Sequence, residues 1–390
     1  MKKVLLRGPI LSRSGYGVHA RQVFRYLLTV PDIEISVGLL PWGITPWYLN
    51  PEDENGLIGE ILKRQISIDE NTKKFDVSIQ VQLPYEWDPT LAKTNVGITA
   101  AIETTCANPT WTSVHCEKMD LVIVPSEHAK TSLTNAGKTL TPIKVVPESF
   151  YDEVIKEPKQ KLDLNLESKF NFLTVGVLTG NTPDSDRKNL FYLIKWFVEE
   201  FKNDPDVGLI VKTNRGRETT IDRQGTKAML TKLLNEIGHK GTPKIYFMHG
   251  QMSREEMTAL YKDDRVKAFV SATRGEGFGL PHLEAAAAAL PVIATNWSAH
   301  KEFLDLGKWI KVDYDLIDVH PSKIDNNIFV KGMKWAHPKE KELKKALRNF
   351  YKKPEMPKNW SVSLEKKIHD NYSFKAVRKR YHELLEEVLN

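Results

Sequence analysis

Residues 273–296 read TRGEGFGLPHLEAAAAALPVIATN and combine groups that rarely sit together. Gly275, Gly277 and Gly279 crowd the front, and two carboxylates, Glu276 and Glu284, stand eight positions apart. The preceding VKAFVSAT reads as a buried strand, and Pro281 suits the first turn of a helix that starts near Leu280. Glu284 is then expected in that first turn and Glu276 in the loop before it. A helix amino end with glycines presents free N–H groups to an anion, and acids repel anions. Carboxylates do accept hydrogen bonds from sugar hydroxyls. The two acids therefore suit hydroxyls, while the N–H groups of Phe278, Gly279 and Leu280 suit phosphate. An acid in the first turn also complements any helix dipole, which accounts for Glu284 but not for Glu276.

Two further segments have the same flavour. In LTGNTPDSDRKNLFYLI (178–194), Arg187 and Lys188 stand at the start of a helix. Two cations there oppose the macrodipole and make sense if an anion sits with them, gripped by the arginine fork and the lysine point charge. A solvated basic pair is the ordinary alternative. In LLRGPILSRSGYGVHARQVF (5–24), Gly8, Gly15 and Gly17 flank a loop holding Ser12, Arg13 and Ser14, with a helix from near Val18. This is not GxGxxG and no acid follows the second strand at the expected place, so dinucleotide binding is weakly supported. A plain tight turn serves equally well. Asp184-Ser185-Asp186 and Asp313-Tyr314-Asp315 are D-x-D triplets, but hard cations need more oxygen ligands. The 11 histidines are scattered and no HExxH exists, so no metal is expected.

The elements that must position these groups follow from periodicity. Short apolar runs at 3–7, 33–40, 75–81, 95–101, 121–125 and 143–147 alternate with helical patterns. The rhythm pauses at the polar stretch 156–168 and restarts at 170–178, 207–213, 244–250 and 266–273, with helices over 189–202, 225–238 and 253–262 between them. Buried strands separated by helices imply parallel sheets. The expected fold is α/β with two Rossmann-like domains facing a central cleft. The divisions are 1–155, a linker at 156–168, a second domain at 169–365, and a carboxyl-terminal helix at 366–390 crossing back to the first domain.

Composition agrees with a globular chain. Of 390 residues, 41% are hydrophobic and 27% charged, and the net charge is +6. That balance fits a phosphate-bearing ligand better than nucleic acid, because the charges are dispersed. The two cysteines make neither a CxxC pair nor a disulfide framework. The apolar start is broken at Arg7 and Gly8, so no signal peptide is read, and no run reaches membrane-spanning length. The expectation is a cytoplasmic protein.

GEGFGLPHLEAAAAALPVIAT resembles the E-x7-E motif of retaining glycosyltransferases of family GT4, which have the GT-B fold. DRKN resembles that family's R-K-N/G element, SGYGVHARQ its amino-terminal glycine loop, and 97–137 its segment with Pro-x-Trp and V-P-S-E. The resemblance covers most of the chain and extends to members encoded by large tailed phages. It implies Glu276, Arg187 and Lys188 as catalytic residues, with Glu276 on the donor sugar's hydroxyls and the cations on the diphosphate. It implies Glu284 on the nucleotide ribose, and Gly277, Phe278, Gly279, Leu280, Gly15, Gly17 and Met252 about the donor. Glu103, Arg13 and Tyr16 fall on the acceptor side. Ala289-Leu290 replace a smaller pair, Glu103 stands where many members have histidine, and the insertion 179–186 is expected near the acceptor. The implied reaction is retaining, front-face transfer from a nucleoside diphosphate sugar, UDP- or GDP-linked, without metal or other cofactor. The acceptor is a small molecule, a glycan or a hydroxylated DNA base. DNA is favoured by Arg7, Arg13, Arg21 and Arg25 with Trp42, Trp47 and Trp87 as stacking platforms. A non-catalytic nucleotide-sugar-binding protein is the other reading. A phosphorylase-like enzyme would need a cofactor lysine that the sequence does not identify.

Overall fold

The computed structural model describes residues 1–69, 74–100, 102–159 and 161–390. The chain forms two compact units. One comprises Met1–Ser149, Asp325–Val330 and Phe374–Asn390; the other comprises Phe150–Ile324 and Lys331–Ser373.

The first unit holds β1 (Lys2–Gly8), β2 (Ile33–Leu39), β3 (Gln65–Ile66), β4 (Phe75–Val81), β5 (Ala92–Ile98), β6 (Leu121–Val124) and β7 (Ile143–Val145). They form one parallel sheet ordered β3-β2-β1-β4-β5-β6-β7. Strand order reverses between β1 and β4, the kind of switch point beside which such sheets bind ligands. Val4, Leu5 and Leu6 are all fully buried, because helices cover both faces of a parallel sheet. The strand expected over 95–101 ends at Ile98, and Ala101 lies outside the described residues.

Helix Gly15–Leu27 packs Ala20, Val23, Phe24 and Leu27 into this core. Helix Phe374–Leu389 adds Val377, Tyr381, Leu385 and Leu389, and His19 Nε2 meets Tyr381 Oη at 2.9 Å. The carboxyl-terminal helix thus belongs to the first unit. It is shorter than the expected 366–390. Residues 366–372 complete a separate helix of the second unit, Glu355–Tyr372, and extended Ser373 (ψ 154°) breaks the two apart.

The second unit holds β8 (Phe170–Val175), β9 (Val207–Lys212), β10 (Lys244–Met248), β11 (Val266–Ser271), β12 (Val292–Thr295) and β13 (Ile310–Val312). These are parallel in the order β10-β9-β8-β11-β12-β13, with the reversal between β8 and β11. An antiparallel pair, β14 (Tyr314–Asp318) and β15 (Lys334–Pro338), accompanies them. Leu162, Leu164 and Leu166, in the stretch expected as a linker, pack on this unit's core; residue 160 lies outside the described residues.

The alanine run has a packing reason. In helix Leu280–Ala287, Ala285, Ala286 and Ala287 are fully buried in one cluster with Leu364 and Ile368 of helix Glu355–Tyr372. Small side chains let the two helices approach closely. Ser361 Oγ donates to Ala289 O (2.7 Å), and His369 Nε2 lies 2.8 Å from Ala287 O. Among the described residues no helix is long and apolar enough to cross a membrane.

Candidate active site

The loop between β11 and helix Leu280–Ala287 carries Glu276, which is 5% exposed. Gly279 ends the loop at φ +105° as the helix N-cap, and a side chain there would meet the Cβ of His300 at 3.0 Å. Only glycine takes that backbone at that distance without strain. The Glu276 carboxylate is gripped from two directions. Lys188 Nζ lies 2.7 and 2.8 Å from its two oxygens, and Thr273 Oγ1 donates to Oε1 at 2.8 Å. Arg187 donates to Gly275 O (2.6 Å) and approaches Glu276 Oε2 at 3.4 Å. Burial would raise the Glu276 carboxyl, but Lys188 and Arg187 outweigh it and hold it well below the usual carboxylate range. Glu276 is therefore an acceptor-only group.

Arg187 and Lys188 just precede helix Leu190–Glu200. Two carboxylates meet this segment within the protein. Glu276 takes the cations. Asp186, fully buried, takes the helix end, accepting Leu190 N–H at 2.8 Å. Asp186 also accepts from Thr179 N–H (3.1 Å) and Thr179 Oγ1 (2.8 Å). The insertion 179–186 is thereby closed on itself, and the first D-x-D triplet does structural work, with Asp184 accepting from Tyr192 Oη at 2.9 Å. In the second triplet, Asp315 pairs with Lys339 at 3.3 Å.

Three residues unassigned by the sequence complete the loop. Arg274, 1% exposed, donates its backbone N–H to Arg187 O (2.8 Å) and its guanidinium to Pro183 O and Asn189 Oδ1. It joins the Glu276 loop to the Arg187 segment 85 residues away. Ser298 Oγ accepts the Glu276 N–H at 2.9 Å, and His300 lies beside Ser298. Arg274 stood inside the quoted stretch, but no sequence signal says that a buried arginine will donate to Pro183 O and Asn189 Oδ1, far away in the chain. Ser298 has φ +79°, a conformation its type does not announce.

Glu284 sits one turn further in than expected, since no acid occupies the helix's first turn. Its carboxylate accepts from Tyr261 Oη at 3.0 Å. Burial raises the group to about 7, against the opposing effects of Tyr261 and Arg254. Two glutamates of one motif are thus pushed in opposite directions, because the cations beside Glu276 outweigh its burial whereas burial prevails at Glu284. Met252 and Leu280 are partly buried against the same core, and the Phe278 ring lies within it, 5.5 Å from that of Phe303. The side chain of Phe278 is structural.

In the first unit, Gly17 has a local reason. A Cβ there would lie 1.9 Å from Ser12 O, so the turn itself demands glycine. A Cβ on Gly15 would meet nothing within 4 Å. The helix begins at Gly15 rather than Val18, with Ser14 Oγ accepting Gly17 N–H at 3.1 Å. Tyr16 is stacked on Trp42 at 4.0 Å, and its Oη binds Thr99 Oγ1 and Ala100 N. Arg13 lies 3.9 Å from the Tyr48 ring centroid, and Glu103 is partly buried. The supposed DNA-facing cations are largely engaged within the unit. Arg21, 2% exposed, binds Ile10 O and Ser12 O; Arg25 covers the Phe374 ring; Arg7 donates to Glu86 O. Trp87, 4% exposed, is core beneath Gly97 rather than a platform.

Residues 155–366, which contain the whole Glu276 cluster, match the family described as Glycosyl transferases group 1. The chain belongs to this family. No curated protein matches the sequence. Among solved structures, this glycosyltransferase is similar to Anabaena HepE in complex with UDP and glucose (TM-score 0.70, 13% identity, covering 99% of this chain and 100% of that one). It is also similar to sucrose-phosphate synthase from Thermosynechococcus elongatus (0.66, 13%, 100% and 99%). A third is a UDP-forming trehalose-phosphate synthase from Burkholderia xenovorans (0.64, 11%, 100% and 99%). At these identities the likeness establishes the GT-B fold.

Proposed function

We propose that the protein transfers a sugar from a nucleoside diphosphate sugar to a hydroxyl acceptor with retention of anomeric configuration, as a GT4-type enzyme. The observation that carries this is the ion pair of Lys188 with Glu276 at 2.7 Å, with Arg187 alongside, at the mouth of a helix whose glycine N-cap brings no capping side chain. That arrangement offers a fixed acceptor for sugar hydroxyls beside two fixed cations for a diphosphate. Charge grows on the diphosphate as the glycosidic bond breaks, and preorganised donors at that point lower the barrier. Arg187, Lys188 and the N–H groups of Gly277, Phe278, Gly279 and Leu280 fill this role. The attacking hydroxyl gives its proton to the leaving phosphate oxygen on the same face, so no carboxylate nucleophile and no metal is invoked.

Glu284 is assigned to the ribose hydroxyls and Met252 to the base side of a UDP- or GDP-sugar, with UDP supported by the ligand named for the HepE structure and by the UDP-forming reaction named for the trehalose-phosphate synthase. Gly15, Arg13, Tyr16 and Glu103 are assigned to the acceptor-side unit, with Gly17 shaping the turn. The engagement of Arg7, Arg21 and Arg25 within that unit favours a small molecule or glycan over DNA as acceptor. Incubation with a panel of UDP- and GDP-sugars, read by release of the nucleoside diphosphate, tests the donor; a Glu276→Gln variant with full turnover would sink the assignment. Failure to shift duplex DNA at low salt is the expected outcome of a gel assay, and a salt-sensitive shift would restore the DNA acceptor.

A further inference from the structure

We infer that Ser298 and His300 are positioning residues that set the backbone of Glu276, an inference that rests on reading Glu276 as the donor-sugar carboxylate. The donors and acceptors leave one assignment. Thr295 O is a carbonyl and only accepts, so His300 Nε2, 2.7 Å away, carries the proton. His300 Nδ1 is then an acceptor, and Ser298 Oγ, 3.4 Å from it, donates there. The same Ser298 oxygen is left free to accept the Glu276 N–H at 2.9 Å. A return contact closes the loop, Ala299 N–H to Glu276 O at 3.3 Å.

Two features say that the hydroxyl, rather than the turn, is what this position supplies. Ser298 holds φ +79°, which glycine would take without strain and serine does not. The imidazole that receives its proton is fully buried and lies flat on His282, with centroids 4.4 Å apart at 15°, and meets Trp309 edge-on at 6.1 Å. Packing therefore locks the ring in the plane that presents Nδ1. Burial holds His300 down to about 4, against the opposing pull of Thr295 O and Glu276, so the ring is neutral at physiological pH and can accept.

Ser298→Gly is the decisive variant, because it deletes the hydroxyl and relieves the backbone. The full-length protein is assayed with whichever of UDP-glucose, UDP-N-acetylglucosamine and GDP-mannose the wild type turns over. The expected result is a kcat lower by about tenfold with KM within about twofold, at a Tm no lower than wild type. His300→Gln keeps the N–H to Thr295 but loses the Nδ1 acceptor, and a smaller fall in kcat is expected. Amide hydrogen exchange at Glu276, which needs no donor, is expected to quicken in both. Wild-type kcat in Ser298→Gly, or unchanged exchange at Glu276, would overturn the positioning role. Wild-type kcat in Glu276→Gln would instead overturn the reading of Glu276 beneath it.

Discussion

Two strand–loop–helix turns in this chain look alike in sequence and differ in what their polar groups face. In the turn from β1 to helix Gly15–Leu27, the groups satisfy one another. Arg21 holds the carbonyls of Ile10 and Ser12, Ser14 caps the helix, and Gly17 exists to let Ser12 O pass. In the turn from β11 to helix Leu280–Ala287, a carboxylate is held by cations brought from a segment 88 residues away. A strained serine and a buried arginine fix the surrounding backbone. The lesson is that glycine density marks a tight turn in both places, while chemistry is marked by charge that the turn alone cannot satisfy.

The largest expected effect separates the turns outright. Glu276→Gln keeps shape and removes the charge that faces Lys188 and Arg187; turnover of the nucleotide sugar should fall by about 100-fold or more. An unchanged rate would put both turns in the structural class. Next comes Gly17→Ala, whose new Cβ would collide with backbone at 1.9 Å. A loss of about 3 kcal/mol or more is expected in denaturant unfolding. Its neighbour sharpens the point. Gly15→Ala meets nothing within 4 Å and should leave stability unchanged or raise it by about 0.5 kcal/mol. A drop in activity without loss of stability in Gly15→Ala would show that a ligand approaches there.

The third test uses the two glutamates of the second turn. An unfolded glutamate ionises at about 4.3, and burial raises folded Glu284 to about 7. The folded chain therefore binds the extra proton between those values. The stability it confers is complete below about 4.3 and is lost as pH rises through about 7. Glu284→Gln, which still accepts from Tyr261, should melt above wild type at pH 8, with the gap closing toward pH 4. A gap that widens on acidification would reverse the assigned cause. The smallest effect is expected for His282→Phe. The ring nitrogens of His282 are buried without a well-formed hydrogen bond among the described residues, so an apolar ring of similar shape should leave Tm unchanged or raise it slightly.

Much of the fold was legible because parallel strands buried on both faces leave continuous apolar runs. The expected strands at 33–40, 75–81, 207–213 and 244–250 agree with β2, β4, β9 and β10 to within two residues. The region after 300 was less legible. Helices His300–Leu304, Glu340–Lys352 and Glu355–Tyr372 and the β14–β15 pair were not read there. Pro357 falls within the first turns of Glu355–Tyr372, where proline is tolerated, but its mixed surface gives a weak periodic signal.

The sequence by itself determined the chemical inventory: an acid among glycines, an adjacent cation pair, and a strand rhythm that presents both at strand ends. Local rules suffice for that, because side-chain type and periodicity are properties of short segments. Only the tertiary structure decided which charge meets which. It assigned Asp186 to the helix end and Glu276 to the cations. It also separated Glu284 from its partner acid in ionisation, and recruited Arg274 and Ser298 into the loop. Pairings of that kind depend on distances across β8 and β11, which run side by side although about 90 residues separate them in the chain.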